Sequence, residues 1–179
     1  TATDQIVRLN PRTNQMTRWS VSPYTDTFDL DLAPNGDVWF TVQPRGLQGV
    51  GRLNPANGQT TIWKLPAATA RPFRLQVIDA AEIWLTEFDP TGNSISRLTP
   101  ASNQLARFPL PSPNSGPYGL MRAFGLIWFT EFNGNRIGML SPAAGAPQQA
   151  TPQTSSYTAP STTTTATPSS AIARSRRRP

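Results

Sequence analysis

Ile6-Val7-Arg8-Leu9-Asn10-Pro11 recurs as Val50-Gly51-Arg52-Leu53-Asn54-Pro55, as Ile95-Ser96-Arg97-Leu98-Thr99-Pro100 and as Ile137-Gly138-Met139-Leu140-Ser141-Pro142. The prolines are 44, 45 and 42 residues apart. A second series keeps the same period: Val38-Trp39-Phe40-Thr41, Ile83-Trp84-Leu85-Thr86 and Ile127-Trp128-Phe129-Thr130, with tryptophans 45 and 44 residues apart. A third closes each unit, as Met16-Thr17-Arg18-Trp19, Thr60-Thr61-Ile62-Trp63 and Leu105-Ala106-Arg107-Phe108. The runs are short, aromatic and β-branched, and turn residues separate them, so they read as strands. Asn35-Gly36 predicts a tight hairpin with positive φ at both central positions. Asn57-Gly58, Asn14-Gln15 and Asn103-Gln104 hold matching turn places. With Phe28 to Leu32, Val38 to Val42, Val50 to Leu53 and Thr60 to Leu65 as one set, each unit has four strands. Four strands in about 40 to 45 residues is one propeller blade, since helical solenoids of that period would show amphipathic helices.

The fold class is therefore all-β, built from four-stranded antiparallel β-propeller blades near 4–21, 27–65, 72–110 and 117–142. Residues 1–142 hold the last two strands of one blade, two full blades and one blade lacking its outermost strand. Residues 143–179 contain fourteen Ser or Thr and five Pro and no Trp, Phe, Leu or Val. Such a segment cannot bury enough apolar surface to offset its ordering entropy and reads as a disordered tail. It is a flexible linker or stalk on an extracytoplasmic protein, or a bland spacer.

Composition removes several chemistries. The 179 residues include no Cys and no His, which leaves no disulfide, no thiolate nucleophile and no imidazole base or ligand. The net charge of +6 is concentrated in the tail, where Arg174, Arg176, Arg177 and Arg178 lie; the remainder carries only about +2. A nearly neutral folded part argues against nucleic acid as a partner. No run approaches eighteen apolar residues, so no helical membrane span is expected. The opening Thr1-Ala2-Thr3 carries no apolar signal segment and reads as a processing or cloning boundary.

Gly116-Pro117-Tyr118-Gly119-Leu120, then Ile127-Trp128-Phe129-Thr130-Glu131-Phe132-Asn133-Gly134-Asn135-Arg136-Ile137-Gly138, resembles the blade repeat of the streptogramin (virginiamycin B) lyases. Arg107-Phe108-Pro109-Leu110-Pro111 completes a resemblance that covers residues 4–142. It implies about three blades of a seven-bladed ring. The implied activity is a Mg²⁺-assisted elimination that opens the ester of a cyclic depsipeptide, a carbon–oxygen lyase reaction with His and Glu handling the proton. The family places that His after Pro on the innermost strand. Here those positions read Pro72-Phe73 and Pro117-Tyr118, and Phe28 stands at the equivalent site without Pro. Phenylalanine takes no proton, and tyrosine with a pKa of about 10 is a poor base near neutrality. The expectation is a non-catalytic propeller binding module; the alternative is a degenerate or truncated streptogramin lyase.

Glu87 and Glu131 follow the Trp-Leu-Thr and Trp-Phe-Thr runs and are the candidate rim ligands for Mg²⁺; the alternative is that each pairs with an arginine such as Arg97 or Arg136. Asp29, Asp31, Arg71 and Arg74 are candidate channel-lining residues. Trp39, Trp84 and Trp128 read as blade-packing aromatics rather than as a stacking platform. The expected partner is a protein or small molecule on the rim. The arc's open ends call for blades from more chain or from a second copy.

Overall fold

The computed structural model describes residues 4–21, 26–43, 47–66, 71–88, 93–142, 147–149, 151–155 and 162–165. Four antiparallel sheets follow one another along the chain, and no helix occurs among the described residues. β1 (Gln5–Asn10) pairs with β2 (Gln15–Ser20). The first complete blade is β3 (Thr27–Leu32), β4 (Val38–Val42), β5 (Gly49–Leu53) and β6 (Thr60–Lys64). The second is β7 (Arg71–Asp79), β8 (Glu82–Phe88), β9 (Ser94–Thr99) and β10 (Gln104–Pro109). The last sheet has three strands, β11 (Pro117–Ala123), β12 (Leu126–Glu131) and β13 (Arg136–Leu140).

The apolar cores lie between successive sheets, which explains the period of the hydrophobic residues. Ile6, Trp19 and Val21 pack with Val38, Phe40 and Ile62 between the first two sheets. Trp39, Val50 and Trp63 pack with Leu75, Ile83 and Leu85 across the next junction, and Trp84, Ile95 and Phe108 with Ile127 and Phe129 across the third. Trp39 and Trp84 are fully buried, and Trp128, on the last sheet, is half-buried. The repeat's arginine is explained too. Arg8 lies 5.4 Å from the Trp19 ring centroid, Arg52 5.6 Å from Trp63 and Arg97 5.6 Å from Trp84, each guanidinium over an aromatic face.

The turns follow from single residues. The motif Asn accepts a hydrogen bond two residues on, Asn10 Oδ1 from Arg12 N at 3.0 Å and Asn54 Oδ1 from Ala56 N at 2.9 Å. The left-handed position of the β1–β2, β5–β6 and β9–β10 hairpins is Asn14 (φ 54°), Gly58 (φ 74°) and Asn103 (φ 55°). The hairpin at Asn35-Gly36 departs from expectation. Only Gly36 has positive φ, at 88°, and its N–H donates to Ala33 O at 2.9 Å. Pro34 presets the first central residue of a type I turn, and the left-handed glycine then returns the chain to the sheet.

Three short stretches of the Ser/Thr/Pro-rich segment lie beside outer strands. β14 (Pro147–Gln149) pairs with β10, β15 (Thr151–Ser155) with β6 and β16 (Thr162–Thr165) with β2, all antiparallel. Composition speaks to whether a segment can build a core; these strands instead complete the open backbone ladders of the outer strands, which requires no apolar side chain. The basic end, Arg174 to Arg178, lies outside the described residues.

Candidate functional site at the inner rim

Each innermost strand starts with an irregularity. The β3–β4 register shifts between Thr27 and Leu30, β7–β8 between Pro72 and Leu75, and β11–β12 between Pro117 and Leu120. The threonine of the Trp-x-Thr run holds the bulge: Thr41 Oγ1 accepts from Asp29 N at 3.0 Å, Thr86 Oγ1 from Arg74 N at 3.1 Å and Thr130 Oγ1 from Gly119 N at 2.8 Å. Two of these hydroxyls also donate to the next blade, Thr41 to Phe73 O at 3.4 Å and Thr86 to Tyr118 O at 3.2 Å. One side chain thus fixes its own bulge and couples it to the neighbouring blade. The bulge re-aims the preceding residue. That residue is Phe28, Phe73 or Tyr118.

These three side chains make a continuous aromatic belt. Phe28 and Phe73 meet edge to face at 5.0 Å between centroids, and Phe73 and Tyr118 lie 5.8 Å apart. Phe88 and Phe132, one residue beyond Glu87 and Glu131, extend it at 5.8 Å from Phe73 and 6.4 Å from Tyr118. Phe132, Phe28 and Tyr118 are exposed. A cavity of about 270 Å³ opens among Phe73, Phe88, Pro117, Tyr118, Phe132 and Asn133.

Arg74 is wedged between belt members, 5.9 Å from the Phe28 ring centroid and 5.0 Å from that of Tyr118. It donates to Asp29 Oδ1 at 2.9 Å, and this hydrogen bond holds its pKa above the ordinary arginine value against the opposing effect of burial. Asp29 Oδ2 accepts from Leu75 N and Asp31 Oδ2 from Val77 N, both at 2.9 Å, so each carboxylate ties one inner strand to the next. Gln76 takes the place of Asp31 one blade on and accepts from Arg122 N at 2.5 Å. Arg71 stands apart from this network, beside Asp26, Phe28, Gln43 and Gln48 at a polar cavity of about 400 Å³.

The two candidate metal ligands face arginines. Glu87 is fully buried; its Oε2 lies 2.9 Å from Arg107 Nη2, and its Oε1 accepts from the Ser96 hydroxyl. Glu131 Oε2 accepts from Arg136 Nε at 3.0 Å, and Arg136 Nη2 donates to Ser112 Oγ at 2.8 Å. The partner of Glu87 is Arg107 rather than Arg97, whose guanidinium lies on Trp84. A pattern in the repeat could have found it: at the matching places of the previous blade stand Val42 and Ile62, an apolar pair replaced as a unit by Glu87 and Arg107. Phe88 and Phe132 also escaped the sequence reading, although both follow the Thr-Glu step directly.

The donor set does not fit Mg²⁺. The cation prefers several oxygen ligands in near-octahedral array, whereas Glu87 and Glu131 are each neutralised by a guanidinium. Among the described residues, no group of three or more Asp or Glu is placed to hold a metal ion.

Radial four-stranded sheets with bulged inner strands and cores between them define a β-propeller, here an arc of one. Residues 11–172 match the model of the virginiamycin B lyase family, and the chain belongs to that family. It is similar in fold to a streptogramin B lyase structure, with a TM-score of 0.65 and 24% identity over 82% of this chain. The chain spans only 48% of that protein's length. A catalytically inactive virginiamycin B lyase from Staphylococcus aureus, solved with quinupristin, aligns with 20% identity and a TM-score of 0.41, over 84% of this chain and 68% of that one. Comparison with curated proteins gives no match.

Proposed function

We propose that the chain is a non-catalytic binding module of the virginiamycin B lyase family, which holds an uncharged aromatic or apolar group against its inner rim. The observation that carries this reading is the aromatic belt at the three inner-strand positions, Phe28, Phe73 and Tyr118. Elimination next to a carbonyl needs a base within reach of the proton and stabilisation of the enolate. Around the belt the rim carboxylates are committed, Asp29 to Arg74 and Leu75 N, Glu87 to Arg107 and Glu131 to Arg136. What the rim offers is exposed ring surface beside a small apolar cavity, the chemistry of stacking rather than of proton transfer. Arg74 is already neutralised by Asp29, so the belt favours a neutral ring over an anion.

The reading is tested by saturation-transfer NMR with indole as the probe. The expected result is transfer to indole that is lost in F73A and Y118A, both checked for native circular dichroism. Equal transfer to both variants would remove the belt as the site. The lyase alternative draws on family membership, and its test is ring opening of a cyclic depsipeptide in the presence of Mg²⁺.

A further inference from the structure

Successive blade junctions carry unlike cavities at the same place in the repeat. Between the β7–β10 blade and the last sheet the place is apolar, with Phe73, Phe88 and Gly116 on its wall. Between the β3–β6 and β7–β10 blades, both complete, the matching residues are Phe28, Gln43 and Arg71. Asp26, Thr27 and Gln48 complete that cavity of about 400 Å³. The aromatic ring beside the belt is kept, while a second ring and a glycine give way to an amide and a guanidinium. Both junctions close, so packing does not demand the polar set.

The charges in this cavity are uncommitted. Among the described residues, Arg71 forms no ion pair and neither does Asp26, whereas Arg74, three residues on, is held by Asp29. Asp26 stands at the place of Gly116 in the last sheet. Its φ is 58° against 62°, and its carbonyl accepts from Gln43 N at 3.2 Å as that of Gly116 accepts from Phe132 N at 2.9 Å. A bend that glycine makes without hindrance therefore carries a carboxylate at this junction. Gln43 Nε2 donates to Pro72 O at 2.6 Å, which leaves its Oε1 as an acceptor, and Gln48 is buried. A guanidinium, a carboxylate and two amides around one cavity match a ligand that bears both charges and is neutral as a whole.

We infer that this cavity takes the head group of a free aromatic amino acid, the carboxylate against Arg71 and the ammonium against Asp26 and Gln43 Oε1. Phe28 on the wall of the polar cavity meets Phe73 on the wall of the apolar one at 5.0 Å, so the head group and the ring have adjoining sites. Placing the ring rests on the belt reading under Proposed function; the head-group site rests on the cavity alone. A chain terminus carries only one of the two charges, so the free amino acid is the better fit.

The test titrates the isotope-labelled full chain with indole, indole-3-propionate, tryptamine and L-tryptophan and follows the backbone amide shifts. L-tryptophan is expected to bind roughly tenfold tighter than indole, the equivalent of one charge-assisted contact, with the two singly charged analogues between them. The amides of Asp26 and Arg71 should shift with L-tryptophan and not with indole. Arg71→Met, checked for native circular dichroism, is expected to lower the affinity for L-tryptophan to that for indole and to leave indole unchanged. Indole binding without a gain for L-tryptophan, or equal L-tryptophan affinity in Arg71→Met and wild type, would overturn the head-group site and leave the belt standing. L-tryptophan shifts at Arg71 without any binding of indole would support the head-group site and remove the belt. Should Arg71→Met fail to fold, the ligand series on the wild type decides.

Discussion

Arg107→Ile is the substitution that most sharply separates a buried ion pair from an incidental one. Glu87 has no exposed surface, and the side chain of Arg107 is 19% exposed at 2.9 Å from it. Removing the guanidinium leaves a carboxylate in an apolar junction. Breaking a buried pair in this way costs about 3–5 kcal/mol, far more than an exposed pair, because the remaining charge stays desolvated. For a chain of this size that is a fall in melting temperature of roughly 6–20 °C. The neighbouring blade supplies the control, because Val42 and Ile62 occupy the same places and are both fully buried. E87V/R107I copies that solution into the second blade. It is expected to recover most of the loss, and the measured sign relative to wild type shows whether the pair stabilises at all. Ser96, which donates to Glu87, then lacks its acceptor, and S96G in the same background copies Gly51 and removes that residual cost of about 1–3 kcal/mol. Urea unfolding of all four proteins with a shared m-value measures this. If R107I costs less than about 1 kcal/mol, or the double variant is as unstable as the single, buried charge does not govern this site.

Other consequences follow from the repeat. Gly51→Ala drives a Cβ against the Phe40 ring and is expected to cost about 1–3 kcal/mol in chemical unfolding, with F40L relieving it because the equivalent cross-strand pair is Leu85 and Ser96. Thr86→Val keeps the shape but deletes the bonds to Arg74 N and Tyr118 O; a loss of about 1–3 kcal/mol and faster amide exchange at Arg74 are expected, and unchanged exchange would dismiss the coupling role. Asp29→Asn keeps an acceptor for Leu75 N and loses the ion pair to an arginine whose side chain is 41% exposed, so the change in stability should stay within about 1 kcal/mol.

What the sequence disclosed depended on which residues recur. Tryptophans and motif prolines at a fixed period announced the blades, because each junction needs the same large side chains at the same depth. The belt was legible only in its members, since Phe73 and Tyr118 mark the inner-strand start. Their contact arises from the bulge that Thr41, Thr86 and Thr130 hold; those threonines recur in the sequence, but residue type alone does not say that they bond an inner-strand amide. The identity of Glu87's partner was hidden for another reason. Arg97 and Arg107 lie on adjacent strands, but Arg97 lies over the Trp84 face while Arg107 reaches the buried carboxylate.

The proposed binding role requires that the rim leave a cyclic depsipeptide ring intact. The most direct test incubates the full chain with a cyclic depsipeptide and excess Mg²⁺, and follows the ring by chromatography, since elimination yields an open-chain isomer of the same mass. An intact ring is expected after prolonged incubation at high protein concentration. An open-chain isomer that forms in proportion to the protein and stops on chelation would contradict it.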